Sequence, residues 1–342
     1  MSNARKLADN LPTEGQLGNR NVIYNGAMNV AQRGISATGL GSGAGYFTCD
    51  RWSISGTGSA GRLTMTQESD SPFGFANSMK LACTTADTSI ASTEKLILRQ
   101  ILEGQDLQQF AKGTSDAKEF TVSFYVKGNA SATYVFELFD SDNTRQISKT
   151  FSVTTDWTRV ILTFPADTTG AFTDDNDISL YAQIWLHAGS NFTSGTLNSS
   201  AWAAQTVANR ASSSATSFFD STARTFFITG VQLEVGPQST PFEHEPVGVT
   251  LSKCQRYFFT TVESDPYITT FYAASGSAYY ETIMLSPSMR ATPTITLLNQ
   301  SLSKFDGLNT YRKYPTRFTV YDTATSTGRG TWQFNFTADA EL

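Results

Sequence analysis

Two short stretches crowd oxygen donors together: Asp140, Asp142 and Asn143, and Asp174, Asp175, Asn176 and Asp177. Oxygen-rich loops can hold Ca²⁺, which takes about 6–8 oxygen ligands. Neither stretch has the spacing of an EF-hand loop or its terminal Glu. Asp and Asn also build turns through their own backbones, so two solvated loop tips without metal are expected. Glu243, His244 and Glu245 form a second candidate group for metal or acid–base work. Consecutive side chains of an extended segment point apart and do not converge on one ion. That triplet also lies in a stretch punctuated by Pro237, Pro241 and Pro246. No metal site and no cofactor is expected.

His187 and His244 are the two histidines of the chain. This scarcity removes most zinc enzymes and most Ser-His-Asp designs, though not chemistry by carboxylates alone. A glycosidase needs two carboxyl groups at about 5–5.5 or 6.5–9.5 Å. The 30 acidic residues permit such a pair, but no segment marks one. The chain is therefore read as a non-enzyme. Cys49, Cys83 and Cys254 are widely and irregularly spaced, which suits neither a disulfide framework nor a zinc site. They are expected as buried or free thiols of a chain folded in a reducing cytoplasm.

Aromatic faces are the stronger lead, and strands must position them. Phe120, Val122, Phe124 and Val126 alternate with Thr121, Ser123, Tyr125 and Lys127. Leu180, Ala182, Ile184 and Leu186 alternate with Tyr181, Gln183, Trp185 and His187. Both are the period-2 signature of a half-buried strand. If the aliphatic set faces the core, then Tyr125, Gln183 and Trp185 face out. A Trp or Tyr beside an amide can hold a sugar ring by stacking and directed hydrogen bonds. The plain alternative is that the long segment 189–217, or a neighbouring subunit, covers this face. Further on, Tyr257, Phe258, Phe259, Tyr267, Phe271, Tyr272, Tyr279 and Tyr280 crowd together. Alternate members should fill a small core, leaving tyrosines such as Tyr267, Tyr272 and Tyr280 for a seam or a binding tip.

More strands are expected at 51–55, 63–67, 78–84, 95–102, 134–139, 159–164, 225–235, 267–273, 278–285, 294–298, 317–322 and 331–336. Gly128-Asn129 suggests that the strand before it and the strand at 134–139 form a hairpin-like pair. Gly104–Lys112 and Trp202–Asn209 could each hold two helical turns. Segments 166–178 and 189–217 read as long loops. Many short strands with turn signals mean a sandwich or barrel. The chain has 342 residues and a net charge of −5, with 16% charged residues against about 25% in typical soluble proteins. Ser and Thr together number 84, close to a quarter. The absence of a basic block argues against nucleic acid as a partner. The lack of an apolar run long enough for a spanning helix, or of a signal-peptide core, argues against membrane insertion and secretion.

Three stretches resemble a known family. Asn21-Val-Ile-Tyr-Asn-Gly-Ala-Met-Asn-Val-Ala-Gln-Arg-Gly34, with Asp50-Arg-Trp52, is the first. Gly230-Val-Gln-Leu-Glu-Val-Gly236, through Thr240-Pro-Phe-Glu243 to Cys254-Gln-Arg-Tyr257, is the second. Met289-Arg-Ala-Thr-Pro-Thr294 is the third. Together they resemble tail-fibre or appendage proteins of tailed bacteriophages. Within them, 118–127, 157–164 and 226–235 resemble a carbohydrate-binding-module jelly roll, a fold that hosts many functions.

The resemblance implies a virion protein, made in the host cytoplasm, trimeric, with an N-terminal attachment part and a C-terminal tip. The expected fold is all-β: an arm at 1–20, a jelly-roll sandwich at 21–245 and a smaller β domain at 246–342. Leu7, Leu11 and Leu17 would dock the arm on another tail or adaptor protein. The expected function is adsorption, binding a host surface glycan or protein without chemistry. The alternatives are a structural component without a receptor (capsid decoration, collar fibre or baseplate adaptor) and a glycan-degrading tailspike. Tailspikes usually carry a long parallel β-helix repeat, which this sequence lacks.

Overall fold

The computed structural model describes residues 18–262 and 264–342. The arm residues Leu7, Leu11 and Leu17 lie outside the described residues. The chain divides into two compact units between Pro246 and Val247.

The first unit is an antiparallel β-sandwich of the jelly-roll kind. One sheet has, in spatial order, β1 (Ser36–Leu40), β4 (Arg62–Glu68), β5 (Ser78–Thr85), β13 (Thr225–Val235), β7 (Phe120–Gly128) and β10 (Thr158–Phe164). The other has β12 (Ala203–Ala204), β9 (Arg145–Val153), β8 (Ala132–Asp140), β11 (Ile178–Ala188), β6 (Lys95–Glu103), β3 (Ser53–Thr57) and β2 (Ala44–Tyr46). The alternation along β7 and β11 turns Phe120, Val122, Phe124, Val126, Leu180, Ala182, Ile184 and Leu186 into the core between the sheets.

Three local expectations give way to the structure. β7 and β8 are not a hairpin: β7 pairs with β13 and β10, while β8 pairs with β9 and β11 in the other sheet. The link at Gly128-Asn129 is a crossing between sheets, which local sequence does not distinguish from a hairpin. Gly104–Lys112 holds only two 3₁₀ turns, Gly104–Asp106 and Gln108–Phe110, ended by Ala111 at φ +48°. Segment 202–209 holds strand β12 and one 3₁₀ turn instead of a helix.

The sequence stretches that resemble appendage proteins do structural work. Asn25 accepts the Val30 N–H and donates to the carbonyls of Val30 and Asp50, closing a turn. Trp52 Nε1 donates to the Asn25 carbonyl at 3.3 Å. Gly26 sits so close to β13 that a Cβ there would lie 2.1 Å from the Val231 carbonyl oxygen. Beyond β13 the chain folds back. Glu234 accepts from the Thr240 N–H and hydroxyl at 2.8 and 2.7 Å. Glu243 accepts the backbone N–H groups of Asn19, Arg20 and Asn21.

The second unit opens with a helix, Val247–Gln255, which the sequence reading did not foresee. Two small antiparallel sheets follow. In one, β20 (Gly328–Asp339) pairs with β14 (Phe258–Thr260), β15 (Tyr267–Ala273) and β17 (Thr294–Ser303). In the other, β19 (Arg317–Thr323) lies between β16 (Ala278–Met284) and β18 (Asn309–Tyr314). Their facing sides bury Ile283, Phe318, Val320, Trp332, Phe334 and Phe336. The second and third family-like stretches meet here: Arg290 N–H donates to the Arg256 carbonyl at 2.8 Å. Among the described residues no helix is long and apolar enough to cross a membrane.

Candidate functional site

The face expected to offer Tyr125, Gln183 and Trp185 does not exist as one surface. β7 and β11 belong to different sheets, so Tyr125 and the pair Gln183/Trp185 lie on opposite outer faces of the sandwich. Trp185 is 1% exposed and Gln183 2%, so neither is offered to solvent. Segment 189–217 covers them, placing Phe192, Leu197, Ala211 and Ala215 against Trp185, Ile97 and Val135. Under that cover Glu137 Oε2 accepts from Trp185 Nε1 at 2.6 Å and Gln183 Nε2 at 2.7 Å. Arg210, from the covering segment, closes the cluster over the Trp185 ring, 5.1 Å from its centroid. Tyr125 is half-buried against Phe75, with ring centroids 5.4 Å apart.

The acidic stretches are organised by protein groups. The Lys112 ammonium sits among Asp140 Oδ2 (2.5 Å), Asp167 Oδ2 (3.2 Å) and the carbonyls of Thr169 and Gly170. Asn143 donates to both carboxylate oxygens of Asp140. Asp175 and Asp177 close an exposed turn, with the Asp177 N–H on Asp175 Oδ1 at 3.0 Å. His244 packs its ring on Phe75 and Phe242. Cys49, Cys83 and Cys254 are buried and form no disulfide, and burial pushes the Cys49 thiol up to about 12.

In the second unit the three expected tyrosines separate. Tyr267 turns inward, where its hydroxyl donates to Glu281 Oε1 at 2.7 Å. Burial and that contact push its pKa up to about 12. Tyr272 is exposed on the outer face of the β20 sheet, and Tyr280 on the outer face of the β19 sheet. These two faces look in opposite directions, because the sheets pack back to back through their apolar sides.

The β19 sheet builds an exposed aromatic surface. Its inner positions carry Ile283, Phe318 and Val320, so the alternate positions must face out. Register then lines them up in three rows: Tyr280 opposite Tyr321 opposite Asn309, Thr282 opposite Thr319 opposite Tyr311, and Met284 opposite Arg317 opposite Tyr314. Tyr280 and Tyr321 stack at 5.6 Å with ring planes 18° apart. Tyr311 meets both, at 6.3 and 6.0 Å. The Thr282 and Thr319 hydroxyls share a 3.0 Å hydrogen bond. A bulge between Tyr311 and Tyr314 puts Arg312 at φ +46°, with its guanidinium 5.1 Å from the Tyr311 ring centroid. Tyr280, Thr282, Tyr311, Arg312 and Thr319 line an open depression of about 370 Å³.

Of this group the sequence reading named only Tyr280. It missed Tyr311, Arg312 and Tyr314 because β18 was not foreseen as a strand, and it did not single out Tyr321 although it lies on the expected strand at 317–322. The available signal was Tyr314-Pro315-Thr316-Arg317, a turn flanked by polar–aromatic segments.

No family model matches the sequence, and no curated protein does. Solved structures align with the chain at low similarity. The carbohydrate-binding module of a structure titled "CBM4 structure and function" is 15% identical, with 62% of this chain and 99% of that one covered and a TM-score of 0.33. TmCBM61, solved with β-1,4-galactotriose, is 10% identical over 63% of this chain and 99% of that one, at a TM-score of 0.33. The enzymatically active domain of bacteriophage CBA120 tailspike protein 4 is 12% identical over 63% of this chain, at a TM-score of 0.33, and the aligned part spans 21% of that chain.

Proposed function

We propose that this chain is a bacteriophage tail-fibre or appendage component that binds a glycan of the host surface through the outer face of the β19 sheet. One observation carries the binding reading: Tyr280 and Tyr311 stand open to solvent, packed with the half-buried Tyr321, beside hydrogen-bonding threonines and Arg312. Flat aromatic faces stack on the C–H side of a sugar ring. The Thr282 and Thr319 hydroxyls and the Arg312 guanidinium supply directed hydrogen bonds to its hydroxyls. Tyrosine has two χ angles to restrain, so ordering it in a complex costs little. The virion assignment is supported by the three family-like stretches.

The test is binding of tagged full-length protein to host cells and to a glycan array. Tyr280→Ala and Tyr311→Ala, separately and together, should each reduce binding at least tenfold, a loss of about 1.4 kcal/mol. Melting should be nearly unchanged, because these side chains are exposed. Undiminished binding by the folded double variant would move the site elsewhere. Failure of the wild type to bind any host cell, with the face found covered by another chain in particles, would favour a structural component instead.

A further inference from the structure

Outside the tyrosine face, the end of β11 carries a second kind of chemistry. His187 points away from the core, and its side chain is fully enclosed. Its Nε2 lies 3.2 Å from Glu94 Oε2, and its Nδ1 lies 2.8 Å from Ser217 Oγ. An ionised carboxylate only accepts, so in the neutral imidazole Nε2 carries the proton toward Glu94. Nδ1 is then the acceptor, and the Ser217 hydroxyl donates to it. Ser217 is fixed further by accepting the Phe219 N–H at 3.1 Å. The three residues come from the position just before β6, the end of β11 and the covering segment, so no sequence motif announces them.

Serine, histidine and carboxylate in this order are the parts of a nucleophilic relay. Here the serine is not sealed. Ser217 and His187 both line a cavity of about 150 Å³ whose other walls include Ile90, Trp185, Ala211 and Ala215. Small apolar walls suit a short acyl chain such as acetyl. Thr193, Ser212 and Ser213 also line the cavity.

We infer that Ser217, His187 and Glu94 form an esterase site for short acyl esters. The substrate class is an O-acylated alcohol, which includes an O-acetylated sugar. Ser217 Oγ attacks the acyl carbonyl while its proton passes to His187 Nδ1. The ester C–O bond breaks, and the departing alkoxide takes that proton. Water then attacks the acyl-serine, gives its proton to Nδ1, and the acid leaves as Ser217 Oγ regains it. Glu94 is a positioning residue that fixes the tautomer of His187. The inference is independent of the tyrosine face.

The experiment is labelling of the folded wild-type chain with a fluorophosphonate probe, with the modified residue identified by peptide mass spectrometry. Hydrolysis of p-nitrophenyl acetate is followed in parallel. Ser217 should be the labelled residue in folded protein, with no labelling after unfolding in urea. Ser217→Ala should cut turnover at least about 100-fold. Glu94→Gln should slow labelling about tenfold, and Glu94→Asp should restore part of it. Folded wild-type protein with Ser217 unlabelled overturns the assignment, and this readout depends on no variant. Turnover that survives in folded Ser217→Ala overturns it equally. Labelling as fast in Glu94→Gln as in wild type removes the carboxylate from the relay.

Discussion

Arg210 holds Glu137 through both carboxylate oxygens, Nε to Oε1 at 2.9 Å and Nη2 to Oε2 at 3.0 Å. Glu137 is fully buried. A carboxylate there is tolerated only while a guanidinium faces it and its remaining lone pairs are satisfied. Arg210→Ala should therefore cost about 3–5 kcal/mol in denaturant melts. Arg210→Met combined with Glu137→Leu should recover most of that loss. A single variant as stable as wild type would show that the covering segment is not anchored by this pair.

Trp185→Ala separates the covered face from the tyrosine face. Trp185 is sealed under segment 189–217, so its truncation should cost about 3–5 kcal/mol and lower the melting temperature. Glycan binding below that temperature should be retained. Lost binding at an unchanged melting temperature would return the site to this face.

Lys112 has no solvent-exposed side-chain surface, and its Nζ faces Asp140 and Asp167. Lys112→Met removes the ammonium that lies 5.2 and 5.5 Å from the Phe172 and Trp202 ring centroids and leaves Asp140 without its ammonium partner. The expected loss is about 3–5 kcal/mol, the usual result of breaking a buried pair from one side. Chemical denaturation of the purified variant measures it.

Tyr267 makes the second unit sensitive to alkali. Its pKa is raised to about 12 by burial and by Glu281, against about 10 in an unfolded chain. Its contribution is complete below about pH 10 and is lost as pH rises to about 12, because the unfolded tyrosine ionises first. Melts across pH 9–12 should show this loss in wild type and a smaller one in Tyr267→Phe. Parallel curves would remove the assignment.

The large sandwich was legible where one face of a strand is wet and the other dry. β13 was read with its observed ends, and the core set of β7 and β11 follows from simple alternation. What covers the outer face was not legible. Segment 189–217 is rich in Gly, Ser, Thr and Asn, and its anchor joins Arg210 to a carboxylate 73 positions earlier. No local pattern carries that pairing. The helix at Val247–Gln255 was missed because Val247, Gly248, Val249 and Thr250 are poor helix formers. Its form is set by burying Thr250 and Cys254. Tyr280 was legible as part of an aromatic run. Its partner Tyr311 was not, since β18 is an edge strand wet along most of its length and shows little alternation. Tyr321 lies on an expected strand, but its place beside Tyr280 follows from a register between segments far apart in the sequence.

Strand β20 pairs with β14, β15 and β17, and translation adds it after all three. Until it emerges, none of them has its ladder partner in that sheet. The second unit therefore waits for its central strand, while its earlier strands present open edges that invite wrong pairing. A prematurely terminated chain would thus carry its own mark of incompleteness, a sticky half-sheet open to quality control.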